Sequence, residues 1–163
     1  MEIQQGYSYH IKDEFFDVVQ DKYLMNYKEN GNYYPHFYAI QDKKNQTLYW
    51  MIPISSQVEK YKVIVEKKKR KYGKCNTIII GKFAGKENAF LIQNAFPIIA
   101  KFIDHIHTVE GKPITVHNEL NRIHTENLGE VLALYKRGIH LIFTDIDKIR
   151  TIMEQELENI GCQ

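Results

Sequence analysis

Two adjacent serines and a run of basic residues offer the clearest chemistry in this sequence. Ser55 and Ser56 end an apolar stretch, and residues 60–74 then carry seven lysines and one arginine against the single Glu66. Hydroxyl groups can orient phosphate oxygens, while ammonium groups neutralise their charge. This combination predicts a phosphate-binding site and points to RNA.

The basic charge is local, because the whole chain has a formal net charge of only +2. Its 163 residues and 44% hydrophobic content suit one domain, residues 1–163, around a single core. Cys75 and Cys162 are too few for a disulfide framework. The N-terminus lacks a signal-peptide pattern, and no apolar run approaches the ~18 residues of a membrane helix. We therefore expect a cytoplasmic protein without a membrane partner.

Hydrophobic alternation predicts the strands that must position these serines. Residues 36–41 and 47–54 are rich in aromatic and β-branched side chains and flank a polar turn, which predicts a hairpin ending at the serines. Residues 77–83 and 89–94 predict a second strand pair, joined around Gly85. Residues 98–107 fit either a buried strand or a short helix, and periodicity does not distinguish the two.

Helical spacing predicts the remaining elements. A first strand over residues 7–11 precedes a short amphipathic helix that carries Ile11, Phe15, Phe16, Val19 and Tyr23. Pro113 suits the first turn of a longer helix that Gly138 ends, and Thr144 and Asp145 suit the cap of a last helix. Strands followed by helices predict an α+β fold, with a compact, mainly antiparallel sheet and packed helices.

Four short motifs stand in a fixed order along the chain: Pro35-His36-Phe37-Tyr38-Ala39-Ile40, Trp50-Met51-Ile52-Pro53-Ile54-Ser55-Ser56, Phe96-Pro97-Ile98-Ile99 and Phe143-Thr144-Asp145-Ile146. Their order and content resemble those of the ToxN/AbiQ/CptN family of type III toxin–antitoxin endoribonucleases. The resemblance covers nearly the whole chain. It implies a fold similar to that of the Kid/MazF/CcdB toxins, RNA cleavage without a metal or cofactor, and inhibition by a repeated pseudoknot antitoxin RNA in a multimeric assembly.

One departure from the family pattern concerns the lysine of the site. The family places a lysine two residues after the second hydroxyl, whereas Gln57, Val58 and Glu59 precede Lys60 here. The catalytic lysine is therefore either Lys60 or Lys62.

The chemistry of the reaction assigns roles to the catalytic candidates His36, Ser55, Ser56 and Lys60. Metal-independent cleavage needs attack by the ribose 2′-hydroxyl, proton transfer and stabilisation of charge. His36 could move protons, one of the serines, preferably Ser56, could orient the phosphate, and Lys60 could hold its oxygens. Alternatively, His36 is a half-exposed strand residue, the serines make local backbone bonds in a turn, and Lys60 is an ordinary solvated lysine.

The predicted RNA-binding residues extend from this site into a basic loop with flanking tyrosines. Lysines would track phosphates, and tyrosines would stack on bases. The set is Tyr34, Tyr61, Lys62, Lys67, Lys68, Lys69, Arg70, Lys71 and Tyr72. The alternative is a solvated charged loop without function. His105, His107, His117 and His124 lack metal-ligand spacing, so no metal is predicted.

The leading hypothesis is an endoribonuclease toxin whose partners are substrate RNA and antitoxin RNA. The alternative from another class is a non-catalytic RNA-binding module of the same fold that blocks translation. A toxin with a protein target is a third possibility, but it leaves the basic run unexplained.

Overall fold

The computed structural model of the protein describes residues 2–24 and 35–161. It shows a mostly antiparallel sheet with helices packed against it. The strands are β1 (Ser8–Ile11), β2 (Phe37–Gln41), β3 (Tyr49–Ser55), β4 (Ile78–Phe83), β5 (Lys86–Leu91), β6 (Phe96–Ile98), β7 (Ile103–Ile106), β8 (Thr108–Val109) and β9 (Lys112–Pro113). The helices are α1 (Asp13–Val18), α2 (Val58–Tyr72), α3 (Asn118–Lys136) and α4 (Ile146–Gly161). The prediction of an α+β fold is confirmed.

The main sheet has seven strands in the order β4-β5-β3-β2-β1-β7, and β6 pairs with β3. The predicted hairpin is β2–β3, in which Phe37 faces Pro53 and Gln41 faces Tyr49. Its turn is fixed by Asp42, whose carboxylate accepts the backbone N–H groups of Lys44 at 3.0 Å and Asn45 at 2.9 Å. An aspartate that bonds to the backbone of its own turn is a common way to stabilise such loops.

The second predicted hairpin is also present as β4–β5, with the register running from Ile78–Leu91 to Phe83–Lys86. Its turn residues Ala84 and Gly85 have positive φ angles of 56° and 79°. The ambiguous segment 98–107 contains a short 3-10 turn at Ala100–Phe102, followed by β7. This strand lies beside β1 at the edge of the sheet.

Each face of the sheet buries its own hydrophobic cluster, as strand alternation requires. On one face, Phe37 and Met51 pack with Phe15 and with Ile149 and Met153 of α4. The opposite face buries a second cluster under α3, with members Tyr38, Trp50, Ile52, Phe90, Leu128 and Val131. The two helices therefore cover opposite faces of the β2–β3 hairpin.

The prediction of a basic loop after the serines was wrong, because this segment forms the 15-residue helix α2. Tyr61 and Val65 lie one turn apart and pack against β4 and β5, in a cluster that includes Ile78 and Leu91. Lysine, arginine and glutamate are also good helix formers, so a charged helix with one apolar stripe is stable here. Gly73, in the left-handed conformation at φ 83°, ends the helix.

Two predicted helix boundaries were also wrong. Pro113 belongs to the short strand β9, and α3 begins at Asn118, where the His117 Nδ1 atom accepts the Glu119 backbone N–H at 3.2 Å. The helix predicted across residues 11–23 is confined to α1. Neither α3 nor any other helix among the described residues has the length and apolarity needed to cross a membrane.

Candidate functional site

The two serines lie at the end of β3 but in different environments. Ser55 is only 2% exposed, and its Oγ atom accepts the Gln57 backbone N–H at 3.2 Å. Ser56 is exposed, and its carbonyl oxygen accepts the Val58 N–H at 2.8 Å. The Ser55 side chain thus helps the chain turn from β3 into α2, and Ser56 presents its side chain at the surface.

The first turn of α2 directly follows Ser56. Within the part of the chain that the structure describes, the Gln57 side chain makes no capping hydrogen bond to this helix. The N–H groups at a helix N-terminus carry partial positive charge and favour bound anions. Ser56, the first N–H groups of α2 and Lys60 follow one another at the end of β3, so one short segment combines a hydroxyl, helix N–H groups and an ammonium group, a set of donors suited to a phosphate.

Lys60 and Lys62 differ in their pairing. The Lys62 Nζ atom lies 3.3 Å from Glu87 Oε1 and 3.7 Å from Glu59 Oε1. The hydrogen bond to Glu87 raises the pKa of Lys62. Lys60 forms no ion pair with any carboxylate that the structure describes, and its Nζ lies 5.2 Å from the centre of the Tyr61 ring. Lys60 is thus the lysine better placed to receive a phosphate.

The exposed face of α2 carries most of the predicted RNA-binding cations. Lys67, Lys69, Arg70 and Lys71 are exposed. Lys68 is half-buried instead, and its Nζ donates to Thr77 Oγ1 at 2.9 Å and to Gln93 Oε1 at 3.5 Å. Lys68 therefore fixes the helix to the sheet.

The three tyrosines predicted to stack on bases are placed differently. Tyr61 is 6% exposed and belongs to the apolar contact of α2 with the sheet. Tyr72 is 67% exposed, and the Lys71 Nζ lies 5.2 Å from the centre of its ring. Tyr34 lies outside the described residues. Of the two described tyrosines, Tyr72 offers the ring that a base could reach.

His36 is buried on the face of the sheet opposite to that of Ser55. Its carbonyl oxygen accepts the Ile54 N–H at 3.3 Å, so its side chain shares a face with Ile54. It is 3% exposed, and its Nδ1 atom lies 2.9 Å from Ser8 Oγ. Burial, and then the neighbouring His107 and His10, lower the pKa of His36 to about 2. At neutral pH this imidazole is uncharged.

A cluster of stacked histidines surrounds His36. The ring centres of His36 and His107 are 3.9 Å apart, and those of His10 and His105 are 4.5 Å apart. His10 Nε2 lies 2.9 Å from His107 Nδ1. Burial, and then His105 and His107, lower the pKa of His10 to about 4. Among the described residues, no group of three or more His, Cys, Asp or Glu side chains is arranged to hold a metal ion.

Sequence reasoning missed the proximity of His10 to His36. The register of β1 with β2 and β7 places His10 between His36 and His105. The alternation of His105 and His107 was a sequence signal that both side chains share one face of a strand. No local pattern, however, could indicate that this strand pairs with β1.

The fold and the site define an α+β protein with a solvent-exposed hydroxyl and a basic helix at the end of a central strand. Comparisons of the chain with known protein families and with curated proteins find no match.

Proposed function

We propose that this chain is the toxin of a type III toxin–antitoxin system, an endoribonuclease that needs no metal and is inhibited by a repeated pseudoknot antitoxin RNA. The resemblance of its ordered motifs to the ToxN/AbiQ/CptN family supports this proposal. The observation that carries it is the succession of the exposed Ser56, the N-terminus of α2 and the exposed Lys60 in one segment at the end of β3. Such a site suits a phosphate of RNA.

In the proposed reaction, the ribose 2′-oxygen attacks the adjacent phosphorus, and the bond from phosphorus to the 5′-oxygen breaks. The 2′-hydroxyl proton passes to a base, and the leaving 5′-oxygen gains a proton, so the products carry a 2′,3′-cyclic phosphate and a 5′-hydroxyl. Ser56 orients a non-bridging oxygen. The α2 N–H groups and Lys60 stabilise the charge that develops on the phosphate, as preorganised donors do in other enzymes.

His36 is the candidate for proton transfer. Because its pKa is lowered to about 2, the imidazole is uncharged at neutral pH and is a much weaker base than an ordinary histidine, and its own titration would not be visible near pH 6.5. Replacing His36 with alanine tests this role. Unchanged cleavage by a folded His36→Ala protein would assign the histidine to structure alone.

The decisive experiment incubates the purified protein with a mixed RNA pool, once with EDTA and once with magnesium. We expect equal cleavage in both, with 2′,3′-cyclic phosphate ends, and a greater loss of activity in Lys60→Ala than in Lys62→Ala, because Lys62 is already paired with Glu87. Cleavage restored only by magnesium, or no cleavage by the wild-type protein, would overturn the proposal.

One observation favours the non-catalytic alternative. His36 and Ser55 lie on opposite faces of the sheet, so the predicted proton-transfer group is separated from one of the two hydroxyls. A non-catalytic RNA-binding module that blocks translation needs only the basic face of α2. Tight RNA binding and translation arrest without new RNA ends would select this alternative.

A further inference from the structure

A second group of cations lies at the other end of the β2–β3 hairpin from the serines. Lys43 and Lys44 belong to the hairpin turn, Lys136 ends α3, and Arg150 lies in α4. The Arg150 guanidinium carbon lies 5.5 Å from the centre of the Trp50 ring. Three separate elements thus bring positive charge to one region, which we call the turn cluster.

The position of each cation in the turn cluster is set by a specific contact. The Lys43 side chain extends over α3, and its Nζ atom lies beside Gly129 of that helix. The Lys44 ammonium lies so close to Lys136 that it lowers the pKa of Lys136. Arg150 is held by the face of Trp50, which is itself 1% exposed. Like charges brought together on a protein surface repel each other, and a bound anion relieves this repulsion.

Asp42 lies close enough to attract Lys136 and Arg150 and so offsets part of their repulsion, but its oxygens already accept hydrogen bonds from other donors. Asp42 Oδ1 accepts the Trp50 Nε1–H at 2.8 Å, and Asp42 Oδ2 accepts the backbone N–H groups of the turn. Asp147 Oδ2 accepts the Tyr135 hydroxyl at 2.5 Å. No carboxylate among the described residues forms an ion pair with any cation of the turn cluster, although Lys62, Lys74, Lys101 and Arg122 are all paired.

The turn cluster is connected to α2 across the surface of α3. Lys74, which follows the C-terminus of α2, forms an ion pair with Glu130 of α3. Gly129, which directly precedes Glu130, is the residue that Lys43 covers. Lys136 lies two helical turns further on, at a distance of about 10 Å along the helix. Lys74 itself is neutralised by Glu130, so among the described residues Lys43, which lies over the neighbouring Gly129, is the unpaired cation between α2 and the rest of the turn cluster.

We infer that Lys43, Lys44, Lys136 and Arg150 form a second phosphate-binding surface, which holds the backbone of an RNA long enough to extend from α2 across α3. This inference rests on the proposed function and assigns the surface to the inhibitory RNA, because a substrate needs only the end of β3 and α2. Lys44 and Lys136 share one phosphate. Arg150, oriented by Trp50, presents its planar group of donors to another.

The test compares a short fluorescein-labelled oligouridylate of about 6 nucleotides with a long one of about 30 in binding titrations over a range of salt concentrations. The variant is Lys44→Gln/Lys136→Gln/Arg150→Gln. We expect it to bind the long RNA more weakly, with a salt slope flattened by about 1.4 log units per log unit of salt, since two phosphate contacts are lost and each removes about 0.7. Binding of the short RNA should persist, because α2 is intact.

A charge-matched control replaces Lys12, Lys22 and Lys112, which are exposed elsewhere. The control should retain the wild-type salt slope. A further variant, Lys44→Gln alone, should raise the pKa of Lys136 and weaken binding of the long RNA without lowering the melting temperature. Two results would overturn the inference: wild-type affinity and slope in the triple variant, or an equal loss in the control.

The same preparations separate this inference from the proposed function. Cleavage of the mixed RNA pool tests the nuclease, and the salt slope of the long RNA tests the turn cluster. A protein that cleaves no RNA but loses binding in the triple variant retains the second surface and rejects the nuclease. If the wild-type protein cleaves RNA and the triple variant binds the long RNA as tightly as the wild type does, the nuclease is supported and the second surface is rejected.

Discussion

Ser55 and Ser56 are adjacent residues of the same type, but their environments give them different roles. Adjacent residues of a strand point to opposite faces, and at the end of β3 Ser55 is buried whereas Ser56 is exposed. The sequence could not indicate which serine is buried, because that depends on where α2 packs. In the structure, Ser55 supports the turn into α2, and Ser56 remains at the surface.

This difference predicts opposite effects for two matched substitutions. Ser56→Ala should reduce RNA cleavage by roughly 30- to 1,000-fold with an unchanged melting temperature, because one hydroxyl aimed at the phosphate contributes about 2–4 kcal/mol to transition-state binding. Ser55→Ala should instead destabilise the fold by about 1 kcal/mol through loss of the bond to Gln57. Single-turnover cleavage and thermal unfolding measure the two effects. Full activity in Ser56→Ala would remove this hydroxyl from the mechanism.

His124 is a buried polar residue whose ring nitrogens have no hydrogen-bond partner among the described residues. It is 0% exposed and packs against Phe90, with ring centres 4.2 Å apart, and Tyr38. We predict that His124→Leu raises the free energy of unfolding by about 1–2 kcal/mol, because it removes an unsatisfied polar group from the core. Urea unfolding at neutral pH measures the gain, and the exposed His140→Leu is the control. A loss of stability would show that the imidazole has an essential contact.

At the scale of elements, local patterns predicted both hairpins, because turn chemistry and alternation are encoded in adjacent residues. The Asp42 turn and the Ala84–Gly85 turn are examples. The basic segment was misassigned as a loop because its apolar stripe is only Tyr61 and Val65 with Ile64 beside them. Tertiary packing on β4 and β5, which periodicity in this short window did not indicate, makes this stripe sufficient for a helix.

The helical form of this segment divides its cations into two classes. We predict that Lys67→Gln/Arg70→Gln/Lys71→Gln weakens RNA binding and flattens the salt slope by about 2, because three exposed charges are lost. Lys68→Met should instead lower the melting temperature, since it removes the hydrogen bonds to Thr77 and Gln93. Fluorescence anisotropy and thermal unfolding of both variants separate these roles. Equal RNA binding by wild type and the exposed triple variant would exclude this face of α2 as a binding surface.

At the scale of the whole molecule, strand order creates features that no single segment contains. His10, His36 and His105 are far apart in the chain, yet the β7-β1-β2 order makes them neighbours. The turn cluster has the same origin, since its cations come from a hairpin turn and two helices. The sequence could supply the candidate side chains, but long-range pairing decides which of them meet.

The buried histidines make the stability of the whole protein depend on acidity. Burial lowers the pKa of His36 to about 2 and that of His124 to about 3, whereas the pKa of a histidine in an unfolded chain is about 6.5. Between these values the unfolded chain binds more protons than the folded one, so the free energy of unfolding rises with pH. The stabilisation is complete above about pH 6.5 and is lost progressively as the pH falls below it, with a slope of about 1.4 kcal/mol per pH unit for each histidine.

Urea unfolding between about pH 5 and pH 7 isolates this effect, because most carboxylates titrate below that range. We expect the wild-type midpoint to fall steadily over this interval. His124→Leu should keep a higher midpoint and show a shallower dependence, since it removes one of the histidines whose lowered pKa causes the effect, while His36 and His10 remain. The exposed His140→Leu should follow the wild type. A midpoint that stays constant from pH 7 to pH 5 would mean that His36 and His124 accept protons without unfolding, which their burial at 3% and 0% exposure opposes.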